Sequence, residues 1–382
     1  MDHVIVHDRS PRIGLAALAG LSLLCQATGR AEESPKLAKY RPRVDRSVER
    51  ALEFLAGNRL SGSAGDGLFK GQYGKTNAIA GLVGMAFMAK GYSIRAGRYS
   101  HTIRSCVDYV LSTPAENGYL GVRGGRMYSH GIATLFLSEV SGMVGPARQK
   151  KIDAMLPKAL KVIIDAQKAP KSRGEEAGGW RYKPNSPTSD LSLTGWQIMA
   201  LRSARINGAP VPEQTIKNAL GFVIRNYRDR THRGTLPADI GGFVYTNSHH
   251  IQGRRGRWVE VINPKPQVGM TGVGLLCLEL MGEHNSERCR RSGNFILSKT
   301  KGKGLIDDGR QRTYAIYYCA QAMHQLGGKY WEQFGERLYQ YLLRTQGKSG
   351  SWIVKGEGEI YPTVMYTLAL SVSYCQLPIY QR

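Results

Sequence analysis

Ala78-Ile79-Ala80-Gly81-Leu82-Val83-Gly84-Met85-Ala86-Phe87-Met88-Ala89 contains no charged side chain. As a helix it is apolar around nearly its whole circumference, so protein must surround it on all sides. The stretches 132–138 and 273–278 are almost as apolar. A second kind of segment alternates with these. Ile152, Met155, Leu156, Ala159, Leu160, Ile163 and Ile164 fall on one stripe, with lysines and aspartates elsewhere. Val44, Val48, Ala51, Leu52 and Leu55 repeat that pattern, as do Ile103, Val107, Val110 and Leu111. Such helices bury one side and show the other to water.

Each one-sided segment is joined to a surrounded one by a loop holding a glycine and an apolar or aromatic residue. The anchors are Gly67-Leu68-Phe69, Gly118-Tyr119, Gly179-Trp180, Gly242-Phe243, Gly304-Leu305 and Gly350-Ser351-Trp352. Their separations are 51, 61, 63, 62 and 46 residues, so the units share a plan but not a length. Six pairs in two layers predict an all-α (α/α)6 toroid, because closing the array removes the two open ends of a linear solenoid. An open solenoid is the alternative.

The chain has 382 residues and a formal charge of +24, with 42% hydrophobic residues and 20 tyrosines. That composition excludes a disordered chain. Residues 13–24 form a short apolar run after Arg9 and Arg12, followed by small residues ending at Gly29. The order reads as a secretory signal over 1–29, too short to span a bilayer as a helix. Residues 30–43 read as a linker, and 44–382 as one toroid domain exported to the periplasm or beyond. Of the cysteines, Cys106, Cys277, Cys289, Cys319 and Cys375 follow the signal, an odd number without CxxC spacing, so neither a disulfide framework nor a zinc ribbon is expected.

The segment Gln346-Gly347-Lys348-Ser349-Gly350-Ser351-Trp352 is QxxxGxW, and Gln167 followed later by Gly179-Trp180 is a stretched copy. With GGWRYKPNS (178–186), LTGWQIMALRSAR (193–205), QAMHQLGGKYW (321–331) and the ending LPIYQR, the whole chain after the signal resembles the prenyltransferase/squalene-cyclase repeat superfamily. The resemblance implies an α/α toroid with a central cavity for an isoprenoid or other hydrophobic ligand. It does not bring the catalytic motifs along. The acidic DxDDTA segment of the cyclases falls on Asp190-Leu191-Ser192-Leu193-Thr194-Gly195, where Ser192 and Leu193 replace two acids. The Asp-x-Cys of the zinc-dependent prenyltransferases does not occur. Asp307-Asp308 reads as a turn, and His249-His250 point in divergent directions; no cofactor and no metal site is expected.

Residues at the starts of the surrounded helices converge on one mouth if the ring closes. They give the candidate ligand-binding set Tyr128, His130, Arg181, Asp190, Thr194, Trp196, Gln197, Thr271, Tyr314, Tyr317 and Tyr361, of which Asp190, His130 and Tyr128 are the catalytic candidates. Helix N-termini there would suit an anionic head, though Ser, Thr and Asp at such positions also serve as caps. The expected partner is a hydrophobic small molecule or lipid. A second expectation is a lyase or hydrolase of acidic glycans, with Arg181 or Arg126 neutralising a carboxylate and Tyr128 or His130 taking a proton. A third is a basic envelope scaffold. Residues 148–183 hold ten Lys/Arg against four acids, and 225–257 seven Arg against two, which suits peripheral contact with an anionic envelope surface. Nucleic acid is not expected as a partner.

Overall fold

The computed structural model describes residues 34–380 apart from 61–65, 72–73, 122–124, 233, 253–257, 263, 303 and 307–310. The signal segment 1–29 and Asp307-Asp308 lie outside the described residues, as do the side chains of His249 and His250.

The one-sided stripes become an outer layer: α2 (Arg41–Gly57), α4 (Ser100–Leu111), α6 (Pro146–Lys168), α8 (Glu213–Arg225), α10 (Glu287–Lys299) and α12 (Gly328–Thr345), preceded by the short α1 (Pro35–Ala38). The surrounded segments become an inner layer: α3 (Asn77–Ala89), α5 (Arg126–Val140), α7 (Leu191–Ile206), α9 (Val268–Leu280), α11 (Arg312–Leu326) and α13 (Ile360–Ser371). The contrast in exposure follows the composition. Every residue of α3 except Ala78 is buried, whereas α6 buries only Ile152, Leu156, Ala159, Leu160, Ile163, Ala166 and Gln167. Each inner helix packs on the next, and α13 returns to pack on α3, so the ring is closed. The solenoid alternative falls with that contact. Among the described residues no helix is long and apolar enough to cross a membrane.

The expected linker is corrected from residue 34 onward. Leu37 and Tyr40 are buried, Tyr40 lies 5.9 Å from the Tyr339 ring, and Lys36 pairs with Glu336 at 2.7 Å, which docks α1 onto α12. Two apolar anchors, Leu37 in the short helix and Tyr40 just after it, are too few to register as a period. The basic stretch 225–257 includes β1 (Ser248–Gln252), which pairs antiparallel with β2 (Trp258–Ile262) just beyond it in the register His250↔Glu260, a small insertion in an otherwise helical fold.

The glutamines of the repeat signature tie neighbouring units together. Gln346 Nε2 donates to the carbonyls of Gly350 and Ser47, both at 2.8 Å, and its Oε1 accepts from Ser47 Oγ at 2.8 Å. Ser47 is on α2, so this tether joins the last unit to the first. Gln167 does the same between Gly178 and Thr215 on α8, at 2.9 Å each. The glycine is required by the same contact. Gly350 has φ +91°, and a Cβ there would sit 2.3 Å from the Arg50 carbonyl oxygen; Gly178 meets the Asn218 carbonyl in the same way. In the third unit the docking glycine is thus Gly178 rather than its neighbour Gly179.

The inner helices run with their N-termini at one end of the ring. The other end is plugged by the C-terminal segment, where Leu377, Ile379 and Tyr380 are buried. Ile379 N–H donates to Glu139 Oε2 at 3.3 Å, and Gln325 Nε2 to the Tyr380 carbonyl at 3.2 Å.

Candidate functional site

At the N-terminal end of the inner helices the ring opens into a cavity of about 1290 Å³. All six inner helices, or the loops that lead into them, supply its wall. Ile79, Leu82, Ile132, Trp196 and Met270 give an aliphatic and aromatic interior. Tyr128, Tyr182, Tyr245, Tyr314, Tyr341 and Tyr361, all half-buried, form a collar of rings around it. Glu357 is the one carboxylate among the described lining residues, with Arg312 and the exposed Lys355 at the same rim.

Of the expected residues, Tyr128, Trp196, Tyr314 and Tyr361 line this cavity; Asp190 and Arg181 stand directly behind its wall. Asp190 caps α7: its Oδ1 accepts from Leu193 N–H at 2.8 Å and from Ser192 Oγ at 2.7 Å. Its Oδ2 accepts from Tyr245 OH at 2.9 Å and faces Arg181 Nε at 3.4 Å. Complete burial raises its pKa, while the Leu193 N–H, the Ser192 hydroxyl, the Arg181 guanidinium and the Tyr245 hydroxyl all oppose that rise. Ser192 and Tyr245 carry the contact on to Tyr128 OH, 2.6 Å from Ser192 Oγ, and Tyr182 OH, 3.0 Å from Tyr245 OH. Arg181 lies over the Tyr182 and Tyr245 rings, at 5.2 and 5.5 Å from their centroids.

The remaining expected residues hold the loops in place. Thr194 Oγ1 accepts from the backbone N–H of Trp180 at 3.1 Å, and Thr271 Oγ1 from that of Phe243 at 3.0 Å; Thr363 serves Trp352 likewise. Each hydroxyl thus fixes the aromatic anchor of its own unit. In the second unit His130 has that post: Nδ1 accepts from Leu120 N–H at 3.1 Å, and Nε2 reaches the Ala159 carbonyl at 3.0 Å. With both nitrogens engaged and no exposure, burial pushes its pKa down to about 4. It sits in the packing, away from the cavity. Gln197 bridges α7 to the Met127 carbonyl of α5 at 3.0 Å, and Tyr317 is buried beneath Trp196, stacked 5.4 Å between centroids.

Tyr182, Tyr245, Tyr341, Ser192 and Glu357 were not anticipated. For two of them a signal exists. Trp180-Arg181-Tyr182 and Phe243-Val244-Tyr245 repeat one spacing, a tyrosine two residues after the anchor aromatic. In both units the anchor is buried in the packing and the tyrosine lines the mouth.

Neither a protein-family model nor a curated protein matches the sequence. Solved structures do match in fold. The α-1,6-mannanase GH76A of Salegentibacter, in complex with α-1,6-mannotriose, is 12% identical with a TM-score of 0.59, covering 87% of this chain and 99% of that one. The type II terpene cyclase MstE from Scytonema, with its substrate geranylgeranyl dihydroxybenzoate, is 12% identical with a TM-score of 0.53, covering 90% and 100%. A family 76 glycoside hydrolase from Bacteroides thetaiotaomicron is 9% identical with a TM-score of 0.58, covering 86% and 77%. At these identities the likeness is one of fold alone: an α/α toroid.

Proposed function

We propose that this protein binds an apolar, isoprenoid- or lipid-like molecule in the mouth of its toroid and does not transform it. The observation that carries the reading is the cavity itself, closed at the far end and walled by Ile79, Leu82, Ile132, Trp196, Met270 and the tyrosine collar. Burying an apolar chain against such a wall is favoured by about 25 cal/mol per Å² removed from water. Asp190 is engaged as a helix cap and ion-pair partner, an arrangement suited to holding the wall rather than to protonating an alkene. A glycosidase needs two carboxylates flanking the bond it breaks, and the described lining offers Glu357 alone. The lyase reading loses its base. His130 is buried in the packing, and burial raises the Tyr128 hydroxyl well above its ordinary range.

The first 29 residues are proposed as an export signal, which makes the envelope the place of action. Contact with an anionic envelope surface is supported by Lys150, Lys151, Lys158, Lys161 and Lys168, all exposed along the outer side of α6. The test is solvent extraction of the protein lacking residues 1–29, purified from its native membrane-containing extract, followed by mass spectrometry. One bound apolar molecule per chain is expected. An empty extract, together with no thermal stabilisation by any added isoprenoid, would reject the reading.

A further inference from the structure

The hydrogen-bond chain behind the tyrosine collar fixes the direction of every proton in it. Leu193 N–H and Arg181 Nε can only donate, so both oxygens of Asp190 are committed as acceptors. Ser192 and Tyr245 must then point their protons at Asp190. A hydroxyl has one proton. Tyr128 must therefore donate to Ser192 Oγ, and Tyr182 must donate to Tyr245 OH. Tyr314 spends its proton on the Ser192 carbonyl at 3.0 Å. Three cavity-lining tyrosines, Tyr128, Tyr182 and Tyr314, are thus left with lone pairs and no free proton. Of the cationic donors, Arg312 Nε is engaged by the Ile306 carbonyl at 2.9 Å, and Lys355 stands exposed at the rim.

We infer that the ligand carries a neutral hydrogen-bond-donating head, a hydroxyl on an isoprenoid-like body, which the acceptor wall of Tyr128, Tyr182 and Tyr314 selects over a phosphate or carboxylate head. The inference rests on the proposed apolar-ligand function and names the class of molecule. It replaces the anionic head that the helix N-termini suggested: the α7 N-terminus is already satisfied by Asp190, and at the wall of Tyr128, Tyr182 and Tyr314 a phosphate would meet lone pairs rather than protons. A head lacking a donor leaves these oxygens dehydrated and unpaired, which is where discrimination arises.

The test titrates the protein lacking residues 1–29 with three probes that share one fifteen-carbon chain: farnesol, farnesyl methyl ether and farnesyl phosphate. Farnesol is expected to bind about tenfold tighter than the ether, the order of one hydrogen bond, and tighter than the phosphate. Asp190→Asn is the directional probe. The asparagine carbonyl keeps the α7 cap, while its NH2 donates to Tyr245, so Tyr245 donates to Tyr182 and Tyr182 turns its proton into the cavity. The alcohol-to-ether ratio should then fall to about threefold or less. Should Asp190→Asn lose helicity, Tyr182→Phe and Tyr128→Phe carry the same expectation. Equal binding of alcohol and ether by the unaltered protein, or tightest binding of the phosphate, overturns the inference while leaving the apolar cavity standing. Binding of none of the three overturns the apolar-ligand reading itself, and the inference with it.

Discussion

Gln346→Met removes the tether that joins the last unit to the first while keeping the length of the side chain. Three hydrogen bonds are lost: Ser47 Oγ to Gln346 Oε1, and Gln346 Nε2 to the carbonyls of Ser47 and Gly350, all at 2.8 Å. At about 0.5–1.5 kcal/mol net each, the sum is roughly 1.5–4.5 kcal/mol. The lower half of that range is favoured because Gln346 itself is only half-buried, so its exchange with water offsets part of the loss; about 2 kcal/mol is expected. The assay is urea unfolding followed by helicity, with Ser47→Ala and the double variant completing a cycle. Since the Ser47 hydroxyl and carbonyl both meet Gln346, the cycle should return a coupling of about 1 kcal/mol. A loss below about 0.5 kcal/mol for Gln346→Met, or strict additivity in the double variant, would refute the tether as a ring-closing device.

Three further outcomes follow from buried groups. Glu139 is fully buried, and burial pushes its pKa up to about 7, above the ordinary carboxylate value that it regains on unfolding. The folded state therefore holds a proton that the unfolded chain releases; stability is highest below about pH 4.5 for this group and declines as pH rises to about 7. Glu139→Gln should flatten that decline by roughly 3 kcal/mol in denaturation series between pH 5 and 8, and an unchanged slope would contradict the assignment. His130, pushed down to about 4, should show imidazole resonances that do not move between pH 5.5 and 8; a midpoint near 6.5 would mean that it is not held between Leu120 and Ala159. Cys106, Cys277, Cys289 and Cys319 are in no disulfide and buried, and Cys375 is partly exposed. In the protein lacking residues 1–29 a thiol reagent should therefore label only Cys375 in the native state and all five cysteines after denaturation, and rapid native labelling of more than one would contradict the packing.

The two layers were legible because they solve different burial problems. A charge-free helix such as α3 has no face to offer water, and a striped helix such as α6 has one, so alternation of the two types already implies concentric rings. The mouth was legible for the same reason, since Tyr128, Trp196, Tyr314 and Tyr361 sit near the starts of inner helices. What escaped was the partition of those starts between wall and scaffold. Thr194, Thr271 and His130 look like site residues in sequence, but a backbone N–H of an anchor loop claims each of them, and that pairing is visible only once the loop folds back. Conversely, Tyr182 and Tyr245 lie in irregular loops without a helical period to place them. Glu357 lies within a tight turn closed by the Val354↔Gly358 bridge, which brings its carboxylate to the rim.

The most direct test of the central claim blocks the cavity and asks whether binding disappears. Ile132 is on its wall at 4% exposure, and an arginine there would fill the space and extend its charge toward the mouth without displacing backbone. Calorimetric titration of farnesol into the unaltered protein should give saturable one-to-one binding with a negative heat-capacity change, the mark of buried apolar surface. Ile132→Arg should abolish it while helicity persists. Undiminished binding by the blocked variant would contradict the account.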